Sequence, residues 1–495
     1  MTVFPVRSSF YRAAACVAAA LACALSGCAM IHHDEKPFSM IAPQQIRTAD
    51  DIHLARDGWP QARWWSVYND PQLDSLIDRA LAASPTILAA RTRVAQAKSD
   101  IDLVRAGTNL QTTALAAVDR QRVSSNGFLG AYSTDQPLIG ATGPWYTEGI
   151  VGLGASLDVD IWGKQRAQVE AAIGVHNARL AEVAAVELEI STDVAQLYYG
   201  IQTTYQLIAL LQQLHDIAAF VEDAHAARAA SGLEPDTQTE IARAQRLAVE
   251  RETVAARGRV TQLRESLRAL VGAGPDDLVE IKPVALPQSQ EQLPSTLSYE
   301  LLARRPDLQA MRWYVQASFD KIDAAKAAFY PSFDIKAFFG VNALHLADLF
   351  THASQQINLV PGLYLPIFDG GRLNGNLGAA RTASNALIAQ YNQAVLNAVR
   401  DVAVTGSRLS ELDDEAGLQS GKIEAESFAE ASARAHYEHG LGSRLSAIEA
   451  RQPVLLDRIS LLEIDGQRLS QDIAMSKALG GGYRDESLTA AREPR

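Results

Sequence analysis

The sequence predicts a mainly α chain that also contributes strands to a transmembrane β-barrel, built as two internal structural repeats. Three observations predict it. Two long stretches, between Pro144 and Pro235 and between Pro366 and Pro453, lack proline and carry apolar residues at seven-residue spacing. Ahead of each lie runs in which apolar and polar residues alternate. The two halves of the chain match one another segment by segment.

At the N-terminus, Arg7 and Arg12 precede an apolar run from Ala13 to Leu25, with no acid before it. That run is shorter than the ~20 residues a membrane-crossing helix needs, so it reads as a secretory signal. Leu25-Ser26-Gly27-Cys28 resembles a bacterial lipobox. The resemblance implies cleavage before Cys28, leaving 1–27 as signal peptide, and acylation of the new N-terminal cysteine. Ala29 in place of Asp favours, by resemblance to lipoprotein sorting, the outer membrane. Several acyl chains on one residue anchor stably where a single chain holds only marginally. His32-His33-Asp34-Glu35 has the residue types of a metal site, but it follows the lipid position directly and reads as solvated tether.

Composition excludes several classes. The formal net charge is -12, and loss of Arg7 and Arg12 makes the mature chain more acidic still, which argues against nucleic-acid binding. With Cys16 and Cys23 removed, Cys28 is the last cysteine, so no disulfide forms within a chain. There is no P-loop, no CxxC pair and no HExxH. Gly152 and Gly154 lie in a strand pattern and lack a third glycine at dinucleotide spacing. No catalytic residue, cofactor or metal is expected. His176, His215 and His225 are scattered along helix patterns and read as packing or surface residues.

The duplication sets the organisation. Ser84-Pro85-Thr86-Ile87 matches Arg305-Pro306-Asp307-Leu308, and Arg91, Val94 and Ile101 match Arg312, Val315 and Ile322. Leu157–Trp162 matches Leu363–Phe368, Gly232-Leu233 matches Gly440-Leu441, and Leu270-Val271-Gly272 corresponds to Ala478-Leu479-Gly480. The expected divisions are a tether and equatorial segment at 28–71, a first repeat at 72–274, a linker at 275–296, a second repeat at 297–482 and a tail at 483–495. Each repeat reads helix, strand, strand, very long helix, turn, long helix.

From Tyr146 one strand face carries Val151, Leu153, Leu157, Val159 and Ile161, while the other carries Glu148, Ser156, Asp158 and Asp160. Phe333, Ile335 and Phe339 alternate with Asp334, Lys336 and Asn342, and Ile357, Leu359 and Leu363 with Gln356, Asn358 and Tyr364. An apolar outer face with a polar inner face is the pattern of a lipid-embedded barrel. In the first long helix Ile173, Leu180, Val194, Ile201 and Ile208 keep one seven-residue register, and Val183, Ile190, Leu197 and Leu211 a second. Ile388, Val395, Val402 and Leu409 repeat the pattern. A helix from Gly163 to Ala230 would be roughly 100 Å long. Two strands per repeat cannot close a barrel, and open edges in lipid leave backbone groups unsatisfied. Several chains must therefore join, and three would supply about 12 strands around a wet lumen.

Trp64-Trp65-Ser66-Val67-Tyr68-Asn69-Asp70-Pro71-Gln72-Leu73, Arg304-Arg305-Pro306-Asp307-Leu308, Pro331-Ser332-Phe333 and Pro366-Ile367-Phe368-Asp369-Gly370-Gly371-Arg372 occur in that order. In these motifs the chain resembles the TolC-type outer-membrane efflux proteins, in the lipoprotein branch called NodT-type. The resemblance implies a homotrimer, with a barrel of about 12 strands in the outer membrane continued by a periplasmic α-barrel of about 12 helices. It implies a passive exit duct of a tripartite pump, partnered by a periplasmic adaptor protein and an inner-membrane transporter, with no cofactor.

The helices must reverse at Ser231-Gly232-Leu233-Glu234-Pro235 and at His439-Gly440-Leu441-Gly442-Ser443. Gly232, Leu233, Gly440, Leu441 and Gly442 are candidate tip-turn residues for adaptor contact. By the same resemblance Leu445 and Glu449, one helical turn apart, are the candidate periplasmic gate, with Glu449 where Asp is usual and Arg444 where an aromatic residue is common. Other readings are the outer-membrane duct of a type I protein secretion system and a non-transporting coiled-coil lipoprotein; the period-two strands count against the latter.

Overall fold

A computed structural model describes residues 38–41, 60–136, 141–278, 280–287 and 304–484. Cys28 and the His32–Glu35 stretch lie outside them. The described chain is mainly α with one four-stranded antiparallel sheet. It separates into two units, one holding Ala95–Asn177 and Trp313–Ile388, the other Ala178–Arg312 and Ala389–Arg495 with the described part of Met40–Val94.

A 3-10 turn at Trp64–Tyr68 leads into helix α1 (Pro71–Ala83) and then α2 (Pro85–Thr108). Asp70 starts α1 by accepting hydrogen bonds from the Gln72 and Leu73 amides, and Pro71 fits the first helical position. Strand β1 (Gln111–Arg122), the short pair β2 (Asp135–Gln136) and β3 (Ala141–Thr142), and β4 (Trp145–Val159) follow. The long helix α3 (Lys164–Ala230) has 67 residues, and α4 (Asp236–Leu270) returns from it. The second repeat runs α5 (Pro306–Ala327), β5 (Ser332–Ala343), β6 (Gln355–Tyr364) and α6 (Arg372–Glu438), which again has 67 residues. It returns through α7 (Arg444–Glu449) and α8 (Arg451–Ala478).

Two differences from expectation have physical causes. The second return was expected as one helix, but it breaks at Ala450. Pro453 explains the break, because it has no N–H to donate to the Glu449 carbonyl and its ring crowds that carbonyl. β1 was not located from sequence; its outer face carries Thr112, Ala114 and Ala116, which give a weak apolar alternation.

In the first unit the strands order β1-β4-β5-β6, all antiparallel. The register places like with like. Ala114, Leu153, Phe339 and Ile357 form one cross-strand row, and Ala116, Val151 and Val341 another. On the opposite face Asp119 pairs Glu148, and Gln111, Ser156 and Lys336 align. Asp160 and Asp369 accept backbone N–H bonds at the starts of α3 and α6, respectively.

The second unit holds the packed core. Ile190, Val194, Ile201 and Leu211 of α3 are buried as the seven-residue spacing predicts, as are Val395 and Val402 of α6 and, in the first unit, Ile388. Leu180, expected in the same seam, is exposed in the single chain. Trp64, Trp65, Tyr68, Tyr198 and Tyr199 pack edge to face beside Leu73, Ile77 and Leu267. The Trp64 indole donates to Ser191 Oγ at 3.2 Å, and the Tyr198 hydroxyl donates to Asp70 Oδ2 at 2.7 Å. Burial, and then that bond to a carboxylate, push the Tyr198 hydroxyl pKa up.

Candidate functional site: the exposed sheet and the helix tips

The sheet leaves its apolar face uncovered. Phe339, Ile357, Leu359 and Leu363 are each more than half exposed. Removing such side chains from water is worth about 1.5–3 kcal/mol each, so four in contact with water are a standing penalty. An apolar medium removes it. On the other face glycines make room for one ring: a Cβ on Gly152 would sit 2.5 Å from Phe338 Cζ, and one on Gly340 2.8 Å from it. Phe338 therefore lies along the sheet. β1 and β6 are edge strands with one side each unpaired by the other strands of this sheet.

At the first helical turn Gly232 takes a φ of +69°, which L side chains rarely adopt. Its neighbour Leu233 is 72% exposed. Glu234, behind the turn, accepts from Arg228 Nε at 3.1 Å and meets His225 Nδ1 at 2.5 Å. The second turn uses Gly440 at φ +74°, with Leu441 77% exposed and Gly442 beside it. Ser443 caps α7 by accepting from the Ser446 amide at 3.0 Å.

The two candidate gate residues have different surroundings. Leu445 is half-buried against the apolar cluster of Leu214, Ile217, Val221 and Leu455. Glu449 is exposed, with one carboxylate oxygen 3.9 Å from His225 Nε2. His225 thus stands between a carboxylate of its own turn and one from the second repeat. Sequence reading took His225 for a packing or surface residue and did not find these two carboxylates. Glu234 beyond the Gly232 reversal was the available signal. His215 likewise meets Glu250 at 3.2 Å. Among the described residues no cluster of metal-ligating side chains occurs, and no helix is long and apolar enough to cross a membrane.

The sequence matches the family described as Outer membrane efflux protein over residues 76–273 and 297–481. It is 57% identical over 460 residues to the multidrug resistance outer membrane protein MdtP of Escherichia coli (strain K12), covering 93% of this chain and 94% of that protein. It is 40% identical over 486 residues to the multidrug resistance outer membrane protein MdtQ of Escherichia coli O6:H1, covering 97% of this chain and 99% of that protein. Among solved structures, the outer membrane protein VceC of Vibrio cholerae aligns with a TM-score of 0.76 and 29% identity, over 86% of this chain and 100% of that one. The chain belongs to the outer membrane efflux protein family, and is an outer-membrane efflux channel rather than an enzyme.

Proposed function

We propose that the chain is the outer-membrane duct of a tripartite efflux pump that exports small, drug-like molecules. The observation that carries this reading is the sheet with one apolar exposed face and unpaired edges at β1 and β6. Edges in lipid must pair, so β1 of one copy joins β6 of the next, and three copies close a barrel of about 12 strands. The polar face then lines the lumen, and the long helices continue the duct into the periplasm. Relatives named for multidrug resistance support the substrate class. The matches over residues 76–273 and 297–481 support division into repeats at 72–274 and 297–482, with 275–296 as linker.

The duct hydrolyses nothing; an inner-membrane transporter drives export and a periplasmic adaptor joins the two. The exposed turns at Gly232-Leu233 and Gly440-Leu441-Gly442 offer the adaptor apolar knobs. Leu445 and Glu449 form the closed constriction, Glu449 as a ring of like charges and Leu445 as the packing that fixes the start of α7. Cys28 carries the lipid, which aids targeting more than export, because the barrel itself holds the protein in the bilayer.

Export is tested in a strain lacking its own outer-membrane efflux channels, supplied with this chain, its adaptor and its pump. Drug resistance should rise. Restoration of a secreted protein with no change in drug susceptibility would replace this reading by a type I secretion duct. For the gate, Leu445→Ala with Glu449→Ala should raise single-channel conductance in planar bilayers; unchanged conductance removes that assignment. For the anchor, Cys28→Ala behind an ordinary cleavable signal should retain part of the export, and complete loss at normal protein levels contradicts it.

A further inference from the structure

The four-stranded sheet separates its charges by face. Asp119 faces Glu148 across β1 and β4, and Asp158 faces Asp334 across β4 and β5. These are all the acids of the four strands, and all fall out of step with the apolar row Ala114–Leu153–Phe339–Ile357. They therefore belong to the polar face. Lys336 lies there too, bound to Asp334 at 3.2 Å. The apolar face carries no acid, and its only charges are Arg120 and Arg122.

Both arginines sit where the apolar face of β1 ends, after Ala114, Ala116 and Val118. The Arg120 guanidinium lies 5.5 Å over the ring of Trp145, the β4 residue paired with Arg122, so a side-chain contact agrees with the register. Arg120, Arg122 and Trp145 are exposed, and neither arginine makes an ion pair or hydrogen bond with a described residue. The helices join the sheet at its other end: α2 and α5 lead into β1 and β5, while β4 and β6 lead into α3 and α6. With those helices in the periplasm, the arginines stand at the extracellular end. At about 3.4 Å per residue and a tilt of about 40°, Arg120 is roughly 23 Å beyond Gln111, at the far margin of an apolar band about 25 Å tall.

We infer that Arg120, Arg122 and Trp145 form a binding surface for the phosphorylated headgroup of a lipid in the outer leaflet. This rests on the duct reading, which decides which leaflet meets them. A charge is costly at the middle of a lipid-facing strand and tolerated at its margin, where headgroups begin. A guanidinium offers a phosphate two parallel N–H bonds, and arginines about 7 Å apart along one strand reach the same phosphate from both sides. The Trp145 ring suits the same depth, with an apolar body and an N–H to donate. Assembly does not neutralise the pair. β1 is an edge strand, and the β6 that would join it from the next copy contains no charged residue. Because the arginines continue an apolar face, the phosphate they fit is one carried by a lipid.

The test uses the purified full chain in detergent. The probes are lipid A in its phosphorylated and dephosphorylated forms, titrated by native mass spectrometry, with inorganic phosphate as the soluble anion. The phosphorylated form should bind about tenfold more tightly, weaken with salt and resist displacement by millimolar inorganic phosphate. Arg120→Gln with Arg122→Gln should abolish the preference, whereas Lys336→Gln on the polar face should keep it. Equal binding of the two lipid forms by the unmodified chain overturns the inference whatever the variants do. A preference that survives in the double variant also overturns it. So does displacement by millimolar phosphate, which would make the arginines a site for a free anion. Should the double variant fail to assemble, Arg122→Gln alone, at the last residue of β1, should lower the preference about threefold, and an unchanged preference overturns the inference. The duct reading is read separately, from the conductance of the unmodified protein in planar bilayers free of lipid A. A chain that conducts without a lipid preference removes this inference alone, and a chain that does not conduct removes the duct reading.

Discussion

In the first repeat α4 runs unbroken from Asp236 to Leu270; in the second, the equally long stretch Arg444–Ala478 breaks at Ala450. The turns ahead of them differ in the same sense. Glu234 is only 12% exposed and tied to His225 and Arg228. Its counterpart after the matching Gly-Leu pair is Gly442, which brings no carboxylate, and Ser443 alone caps the next helix. The strands differ too. Where β4 has Gly152 and Gly154, the matching positions of β6 are Asn358 and Val360. Duplication supplied one frame, and a few residues made the first half the fixed one. Glu449, the second-repeat carboxylate that meets His225, sits on the broken return.

The largest effect should come from breaking the strand asymmetry. Gly152→Val drives a branched side chain into the Phe338 ring and to within 2.8 Å of the Phe339 carbonyl, at a central strand with no room to shift. Overpacking of that kind costs about 1–3 kcal/mol, and the clash with the Phe339 carbonyl puts this site at the upper end. Assembled, heat-modifiable protein in the outer-membrane fraction should be lost, while Asn358→Val at the matching position of β6 should assemble normally. Equal assembly of the two variants would mean that the strands of the repeats are interchangeable.

The turns should then separate. Glu234→Ala leaves the His225 and Arg228 side chains without their shared carboxylate and should destabilise the first tip by about 2 kcal/mol. Ser443→Ala removes one helix cap, worth about 1 kcal/mol. Amide hydrogen exchange across each turn reads both, and a larger loss of protection at the second turn would invert the comparison.

These contrasts also mark what sequence reveals. The long helix was expected from Gly163 to Ala230 and spans Lys164–Ala230, because seven-residue apolar spacing and absence of proline are local signals. β4 was expected from Tyr146 to Ile161 and spans Trp145–Val159, since its two faces alternate cleanly; Asp160 is instead spent on capping α3. β1 stayed hidden because alanines on its outer face blur the alternation. Pro453 was visible, but its effect falls on a carbonyl four residues earlier. His225 was only half legible: Glu234 lies nine residues on in the same turn, whereas Glu449 is more than two hundred residues away in sequence and meets it only through the packing of α3 on α7. Patterns that repeat along one element can be read from the sequence, whereas pairs made by tertiary contact cannot.

The smallest expected effect bears on how the first long helix meets the second repeat. Asp193 of α3 lines a cavity of about 730 Å³ shared with α4 and α8. Its pKa is raised, chiefly by burial, with Glu189 adding to the rise and Lys477 opposing it. The folded chain therefore holds the Asp193 proton more tightly than the unfolded chain does. In acid, below the ordinary carboxylate range, the group is neutral in both states and costs nothing. As pH rises through the raised pKa, a half-buried charge appears and stability falls. Asp193→Asn should then raise the melting temperature at neutral pH, with the gain shrinking to nothing in acid. Melting curves of the two proteins across that range check it. A gain of the same size at every pH would assign the effect to packing in the cavity, and a loss at neutral pH would mean that Lys477 outweighs burial, making this crossing an ion pair between the repeats.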